Sequence, residues 1–280
     1  MMTAGVEPVR ELRERTGAGI MDCKAALQAS AGDMEKAIDF LRKKGMASAA
    51  KRAGREAKEG MIGIQLNGSE AILAEANCET DFVARTEDFK ALLALAMRET
   101  ALLGDKAIGS ETLAERVAEL SGKIGEKILV RRVKKIHSDG GVFFNYLHSN
   151  QKLGVVVELL AKADAQKNAA FQELGKNLAM QVAASNPMCL TRDQVSTAVL
   201  EREKAIYREE VKGKPETIVE KILNGKLDKF YQAHCLIEQP FIKDDKQSVR
   251  QLVEQVSRQI ADTIQIKQFV RFQLGETVAS

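Results

Sequence analysis

Met61-Ile62-Gly63-Ile64-Gln65-Leu66, Asn67-Gly68, then Ala71-Ile72-Leu73-Ala74-Glu75 is the stretch on which the fold turns. Its first part alternates with period two, Asn-Gly is a hairpin signal, and the return run is again strand-like. A helical stripe follows, with Phe89, Leu92, Leu93, Ala96 and Met97 on one side. The same order recurs downstream. Gly141-Val142-Phe143-Phe144-Asn145-Tyr146-Leu147 matches the first strand, Leu153 to Leu159 answers the second, and Phe171, Leu174, Leu178, Ala179 and Met180 answer the helix. The two copies lie roughly eighty residues apart, which predicts a duplicated pair of α+β lobes with small antiparallel sheets.

Between the copies, a helical stretch around Leu113 to Leu120 precedes a strand at Ile128-Leu129-Val130 and Val133. Upstream, three short helices are expected. The first carries Val9 and Leu12 and stops at Thr16-Gly17-Ala18-Gly19; the second has Ile20, Cys23, Ala26 and Leu27 on one face. Asp33 caps the third, whose Met34, Ala37, Ile38 and Leu41 point one way, with Gly45 as its C-terminal stop. Met46 to Glu59 reads as a solvated linker or exposed helix; Lys51, Arg52, Arg55 and Lys58 make an RNA-binding strip the rival reading.

Downstream, Val195, Val199 and Ile206 mark one helical arm and Val219, Leu223, Leu227 and Phe230 another, broken at Gly213-Lys214-Pro215. This charged hairpin is expected to project from the second lobe. Val249, Leu252, Val253, Val256 and Ile260 form a last helix, and Val270 to Leu274 a closing strand that rejoins the second sheet.

Composition narrows the function. A chain of 280 residues with 45% apolar and 29% charged residues buries a substantial core. A net charge of +3 is too small to signal nucleic-acid binding, and aromatics at 5% supply few stacking platforms. Four cysteines (Cys23, Cys78, Cys189, Cys235) and three histidines (His137, His148, His234) show no metal-ligand spacing, so no metal and no cofactor are expected. His234 and Cys235 are expected to be packing residues on opposite faces of a strand. The N-terminal MMTAGVEPVRELRER is charged where a leader needs an apolar run, and no apolar stretch has membrane-spanning length, so a cytoplasmic protein is expected. Phosphate-loop, dinucleotide, GxSxG and HExxH motifs are absent, which favours a binding protein over an enzyme.

Asn77-Cys78-Glu79-Thr80-Asp81-Phe82-Val83-Ala84 stands apart. It joins a strand to the helix of Phe89, where recognition loops often sit. The residues alone leave two readings open: a recognition loop, or Phe82 tucked under its own helix with Asp81 as an N-cap. The corresponding Leu160 to Ala165 of the second copy has no Asp-Phe pair.

These residues carry a family resemblance. Leu12 to Leu27, with Thr16-Gly17-Ala18-Gly19-Ile20-Met21-Asp22-Cys23-Lys24 at its centre, resembles the N-terminal signature of bacterial elongation factor Ts. Asn77 to Ala84 resembles its second signature; Lys123 to Ile128, Arg131-Arg132 and Val182 to Pro187 resemble further segments. The resemblance implies a ubiquitin-associated-like three-helix domain with linker at 1–54, core lobes at 55–140 and at 141–186 with 230–280, and a helical hairpin inserted at 187–229. It implies a guanine nucleotide exchange factor that binds elongation factor Tu carrying GDP, without covalent chemistry. Thr80, Asp81, Phe82 and Val83 would then form a wedge near the partner's Mg²⁺ site. Cys23, Lys24, Ile124, Gly125 and His148 would make further partner contacts. No direct nucleic-acid or membrane partner is implied, and self-association through the core or hairpin is open. Family members of this length class are expected to continue beyond the closing strand into a C-terminal helical module. An adaptor without exchange activity remains the rival from another class.

Overall fold

A computed structural model describes residues 6–213 and 215–276. The chain folds as an α+β protein in which the two predicted copies form two three-stranded antiparallel sheets. In the first, β1 (Glu59–Asn67), β2 (Glu70–Cys78) and β3 (Leu129–His137) lie in that order. The β1–β2 hairpin closes at Gly68, whose φ of 56° suits a residue without Cβ. In the second sheet, β4 (Val142–Leu147) and β5 (Leu153–Leu160) are joined by β8 (Gln265–Gln273), which arrives after a long helical excursion.

The sheets pack face to face. Ile62, Leu73 and Ile136 of the first meet Phe143, Val156 and Phe272 of the second in one buried cluster. Gly154 permits this closeness, since a Cβ there would stand 2.8 Å from the Ile62 side chain. The outer face of the first sheet is covered by α5 (Glu87–Leu103) and α6 (Glu111–Ile124). The outer face of the second is covered by α8 (Ala169–Ser185), against which α11 (Val249–Gln259) packs. As central strands with both faces covered, β2 and β5 are buried almost throughout, their polar residues Glu75, Asn77 and Glu158 included.

The duplication extends to detail. The register shifts directly after Glu75 in β2 and directly after Glu158 in β5. Each central strand is followed by a one-turn helix, α4 (Asp81–Ala84) and α7 (Ala163–Gln166). Thr86 and Asn168 then cap the long helices through their side chains, accepting from the amides of Phe89 and Ala170. Both glutamates face the other sheet and both are bonded. Glu75 pairs with Arg132 at 2.6 Å, and Glu158 accepts from Ser138 and Gln268.

At the N-terminus, α1 (Val6–Thr16), α2 (Ile20–Ala29) and α3 (Met34–Arg52) enclose a small core of Leu12, Cys23, Ala26, Leu27 and Ala37. Asp33 caps α3 by accepting from the Lys36 amide at 3.1 Å. Gly45 does not end this helix. It lies inside α3 where that helix crosses α6, and a Cβ on Gly122 would come 3.0 Å from the Gly45 Cα. Of the two readings for Met46 to Glu59, solvated linker or exposed helix, the chain is helical to Arg52, where two glycines let the helix backbones touch.

The predicted hairpin is present as α9 (Thr197–Glu210) and α10 (Glu216–His234). Its base packs Val195, Val199 and Phe230 around Cys189 and Cys235, whereas Ile206, expected on the buried stripe, is 46% exposed. His234 ends α10 rather than lying on a strand, and the Cys235 thiol stands 3.7 Å from that of Cys189. The short hairpin β6 (Pro240–Phe241) and β7 (Asp244–Ser248) was not anticipated; Asp-Asp-Lys-Gln-Ser carries no apolar alternation. Among the described residues no helix is long and apolar enough to cross a membrane.

Candidate functional site

Where β2 ends, the chain enters a turn held from several sides. Thr80 takes the N-cap position of α4 with extended dihedrals, yet its hydroxyl does not cap the helix. It donates instead to the Glu126 carboxylate at 2.7 Å, while the amides of Glu79 and Thr80 donate to the other Glu126 oxygen at 3.1 and 3.0 Å. The Glu79 carboxylate returns the contact, accepting from the Lys127 amide at 2.6 Å and from Arg55 at 3.2 Å. That amide bond, with Arg55 helping, holds the Glu79 carboxyl below its ordinary value. Cys78 is fully buried beneath the turn, and burial, followed by the charges of Glu126 and Glu59, pushes its thiol up to about 12.

Within α4 the residues divide by direction. Val83 and Ala84 enter the first-lobe core. Phe82 faces solvent and is 80% exposed. Asp81 bonds Arg85 one turn on, at 2.6 Å, so it acts as a surface ion-pair partner and not as an N-cap. Full burial of a Phe side chain is worth about 1.5–3 kcal/mol. A turn anchored this firmly that leaves its Phe outside gains nothing from it in folding, which removes the reading in which Phe82 tucks under its helix.

The other expected site residues fall in three places. Ile124 ends α6, partly packed on the first-lobe core, and Gly125 follows in the left-handed conformation at φ 86°, with its amide on the Ser121 carbonyl. Both adjoin Glu126, so they share one braced unit with the Phe82 turn. The N-terminal helices meet the same unit: Gly17 lies against the Lys123 side chain, and Lys127 donates to the carbonyls of Ala53 and Arg55. His148 is exposed in the β4–β5 turn, its ring 2.7 Å from the Tyr146 hydroxyl. That turn bonds β1 through Gln151 and Ile62, and Lys152 pairs with Glu59, which lies opposite Cys78.

Cys23 is a correction. It is fully buried in the three-helix core and its thiol bonds the Ala18 carbonyl, so it is a packing residue and cannot touch a partner. Its neighbours on α2 do face outward: Lys24 is exposed, and Ile20 and Met21 are 55% and 74% exposed. Ile20 is expected on the buried face from its spacing to Cys23, but the buried stripe of α2 begins only at Cys23. The bracing roles of Glu79 and Glu126 carry no local signal, since they join segments 46 residues apart, whereas the Asp81–Arg85 pair at i, i+4 spacing is a signal the sequence does offer.

Among the described residues no group of three or more His, Cys, Asp or Glu side chains could hold a metal. A cleft of about 600 Å³ lies between the N-terminal helices and α6, but its Arg42, Lys44 and Arg116 are each paired with a carboxylate. This unit presents Phe82 to solvent on a turn bonded from several sides, beside the end of α6 and joined through β1 to the exposed His148 turn.

Comparison with known proteins agrees on the class. The family described as Elongation factor TS matches residues 79–276. The chain is 44% identical over 278 residues to Elongation factor Ts of Nitratidesulfovibrio vulgaris, covering 97% of this chain and 96% of that one. It is 42% identical to those of Prosthecochloris aestuarii and Chlorobaculum tepidum, covering 98% of this chain and 100% of each relative. With the family matched over most of the chain and relatives matched from end to end, this protein belongs to the elongation factor Ts family, whose members are translation elongation factors.

Proposed function

We propose that the chain is a guanine nucleotide exchange factor that binds elongation factor Tu carrying GDP and promotes release of the nucleotide, so that GTP can enter. The observation that carries this reading is the exposure of Phe82 on a turn whose flanking residues are buried and bonded. A GTPase holds its nucleotide with phosphate-loop amides and Mg²⁺, a geometry that tolerates little displacement. A factor that binds the nucleotide-free form more tightly than the GDP form weakens GDP by the same factor, because coupling free energy is reciprocal. No covalent step is needed, and the chain's residues are assigned none.

In this reading Phe82 is an apolar wedge between partner side chains beside the Mg²⁺ site, with Thr80, Asp81 and Val83 presenting it. Ile124, Gly125 and His148 press a neighbouring part of the GTPase, and Lys24 extends the contact from the N-terminal helices. The organisation fits: a ubiquitin-associated-like module at 1–54 and the first lobe at 55–140 carry most of the surface. The second lobe, at 141–186 with 230–280, adds the His148 turn, and the hairpin at 187–229 stands away from it.

The test is release of a fluorescent GDP analogue from elongation factor Tu. The chain is expected to accelerate it, and Phe82→Ala to remove most of the acceleration. Unchanged release with the wild-type chain overturns the exchange reading; full activity in Phe82→Ala overturns the wedge alone and moves the action to another contact.

A further inference from the structure

The contact between Glu126 and the Phe82 turn has a consequence for that activity. We infer that Glu126 is the positioning residue of the wedge: its carboxylate fixes where Phe82 points and ties the turn to the Ile124-Gly125 contact. The inference rests on the exchange reading above and adds to it a residue that does not itself meet the partner.

The geometry is specific. One Glu126 oxygen accepts two consecutive amides, those of Glu79 and Thr80, and the other accepts the Thr80 hydroxyl. These are the last backbone donors before α4 begins at Asp81, so they set the angle at which that helix leaves the sheet. Thr80 is the natural cap of α4, yet its hydroxyl is drawn to Glu126 and not to the helix. The reciprocal arm, from Glu79 to the Lys127 amide, closes a ring between two segments that are distant in sequence. Glu126 is itself fixed, because its carbonyl accepts from the Ser121 hydroxyl at 2.6 Å and the preceding Gly125 terminates α6. Two N–H groups and a hydroxyl on one carboxylate is an arrangement that charge-assisted bonds favour and that a shorter or neutral apolar side chain cannot reproduce.

A one-turn helix has almost no intrinsic stability, so its orientation depends on such outside bonds. Val83 and Ala84 pin one side of α4, and Glu126 pins its entry. With the entry released, Val83 and Ala84 still hold the turn to the core, but Phe82 samples a range of directions. Positioning of a binding group is sensitive to displacements of this kind.

Three variants separate position from charge. Glu126→Ala is expected to slow exchange by about tenfold, the cost of leaving two amides and a hydroxyl unpaired. Glu126→Asp keeps the charge but is one methylene short of the amides, so it behaves like the alanine variant. Glu126→Gln keeps the reach: its carbonyl accepts the amides, and its NH₂ donates to a Thr80 hydroxyl that has rotated to accept. It stays within about threefold of wild type. Amide hydrogen exchange of intact chains should show faster exchange at Glu79 and Thr80 in Glu126→Ala, with β2 and β5 unchanged.

The decisive comparison is a double-mutant cycle with Phe82→Ala. If Glu126 acts by aiming Phe82, Glu126→Ala costs little in the Phe82→Ala background. Full additivity overturns the positioning role while leaving the wedge intact. Normal exchange by Phe82→Ala alone fails the wedge reading instead. An active Asp variant beside an inactive Gln variant shows a role for the charge and overturns the inference as well. If Glu126→Ala does not fold, the Asp and Gln pair decides by the same criterion.

Discussion

At the scale of single residues, the site combines one side chain that folding does not need with neighbours that it does. Phe82 is largely in solvent, so Phe82→Ala should change unfolding free energy by less than about 0.5 kcal/mol, as surface substitutions usually do. Val83, 7% exposed in the same turn, should cost about 1–3 kcal/mol when cut to Ala. Denaturant titration of the two variants checks this contrast. A second prediction concerns acid. The Glu79 carboxyl is held below its ordinary 4.5 by the Lys127 amide, and Arg55 adds to this. A carboxyl with a lowered folded pKa contributes stability above its unfolded pKa and loses it as pH falls through the folded value. The chain should therefore lose stability below about pH 4.5, and Glu79→Gln should lose less over the same interval. An equal loss in both proteins would remove Glu79 from the account.

Among the elements, the two hairpin-and-helix copies were legible in advance because their signals are local. Period-two runs, Asn67-Gly68 and the Phe89 and Phe171 stripes each fix structure within a few residues of themselves. The path of β8 into the second sheet was legible from its alternation. What stayed hidden depends on contacts between distant segments. Gly45 carried a helix-stop signal, yet α3 runs on because Gly45 faces Gly122 across the crossing with α6. The inward direction of Cys23 was legible from its stripe, and the resemblance pointed the other way; burial decides for the stripe. The Phe82 turn was legible as a candidate, while its brace on Glu126 was not. The crossing gives its own prediction. Gly45→Ala meets only the Ala118 carbonyl, at 3.4 Å, and gains helix propensity, so its effect is small. Gly122→Val meets α3 backbone at 3.0 Å and should cost about 1–3 kcal/mol while loosening the N-terminal helices from α6. Faster proteolysis near Arg52 in Gly122→Val than in Gly45→Ala is the expected readout.

For the whole molecule, the face-to-face sheets make the two lobes one unfolding unit. The inter-sheet cluster takes residues from both, so neither sheet can lose its partner and keep its inner face covered. Glu75 reinforces this. It is fully buried on β2 of the first lobe, bonds Arg132 of β3, and accepts from the amide of Gly275 just past β8 of the second lobe. Arg132 in turn reaches the Gln273 carbonyl and lies 4.1 Å from the centre of the Phe272 ring. Replacing Glu75 with Ala takes from Arg132 its 2.6 Å carboxylate, leaving it the Gln273 carbonyl and Glu276 at 3.6 Å, and leaves the Gly275 amide without its acceptor, a loss of about 1–3 kcal/mol. The hairpin of α9 and α10 shares little of that core, its buried residues lying mainly at the base. Native-state hydrogen exchange should therefore show α9 and α10 opening first and at low free energy, with β2 and β5 amides exchanging only in global unfolding. In Glu75→Ala the protection of β2 and β5 should fall together, by the same free energy, while that of α9 and α10 stays where it was. Loss confined to β2 would mean that the lobes unfold separately and that the sheet interface does not couple them.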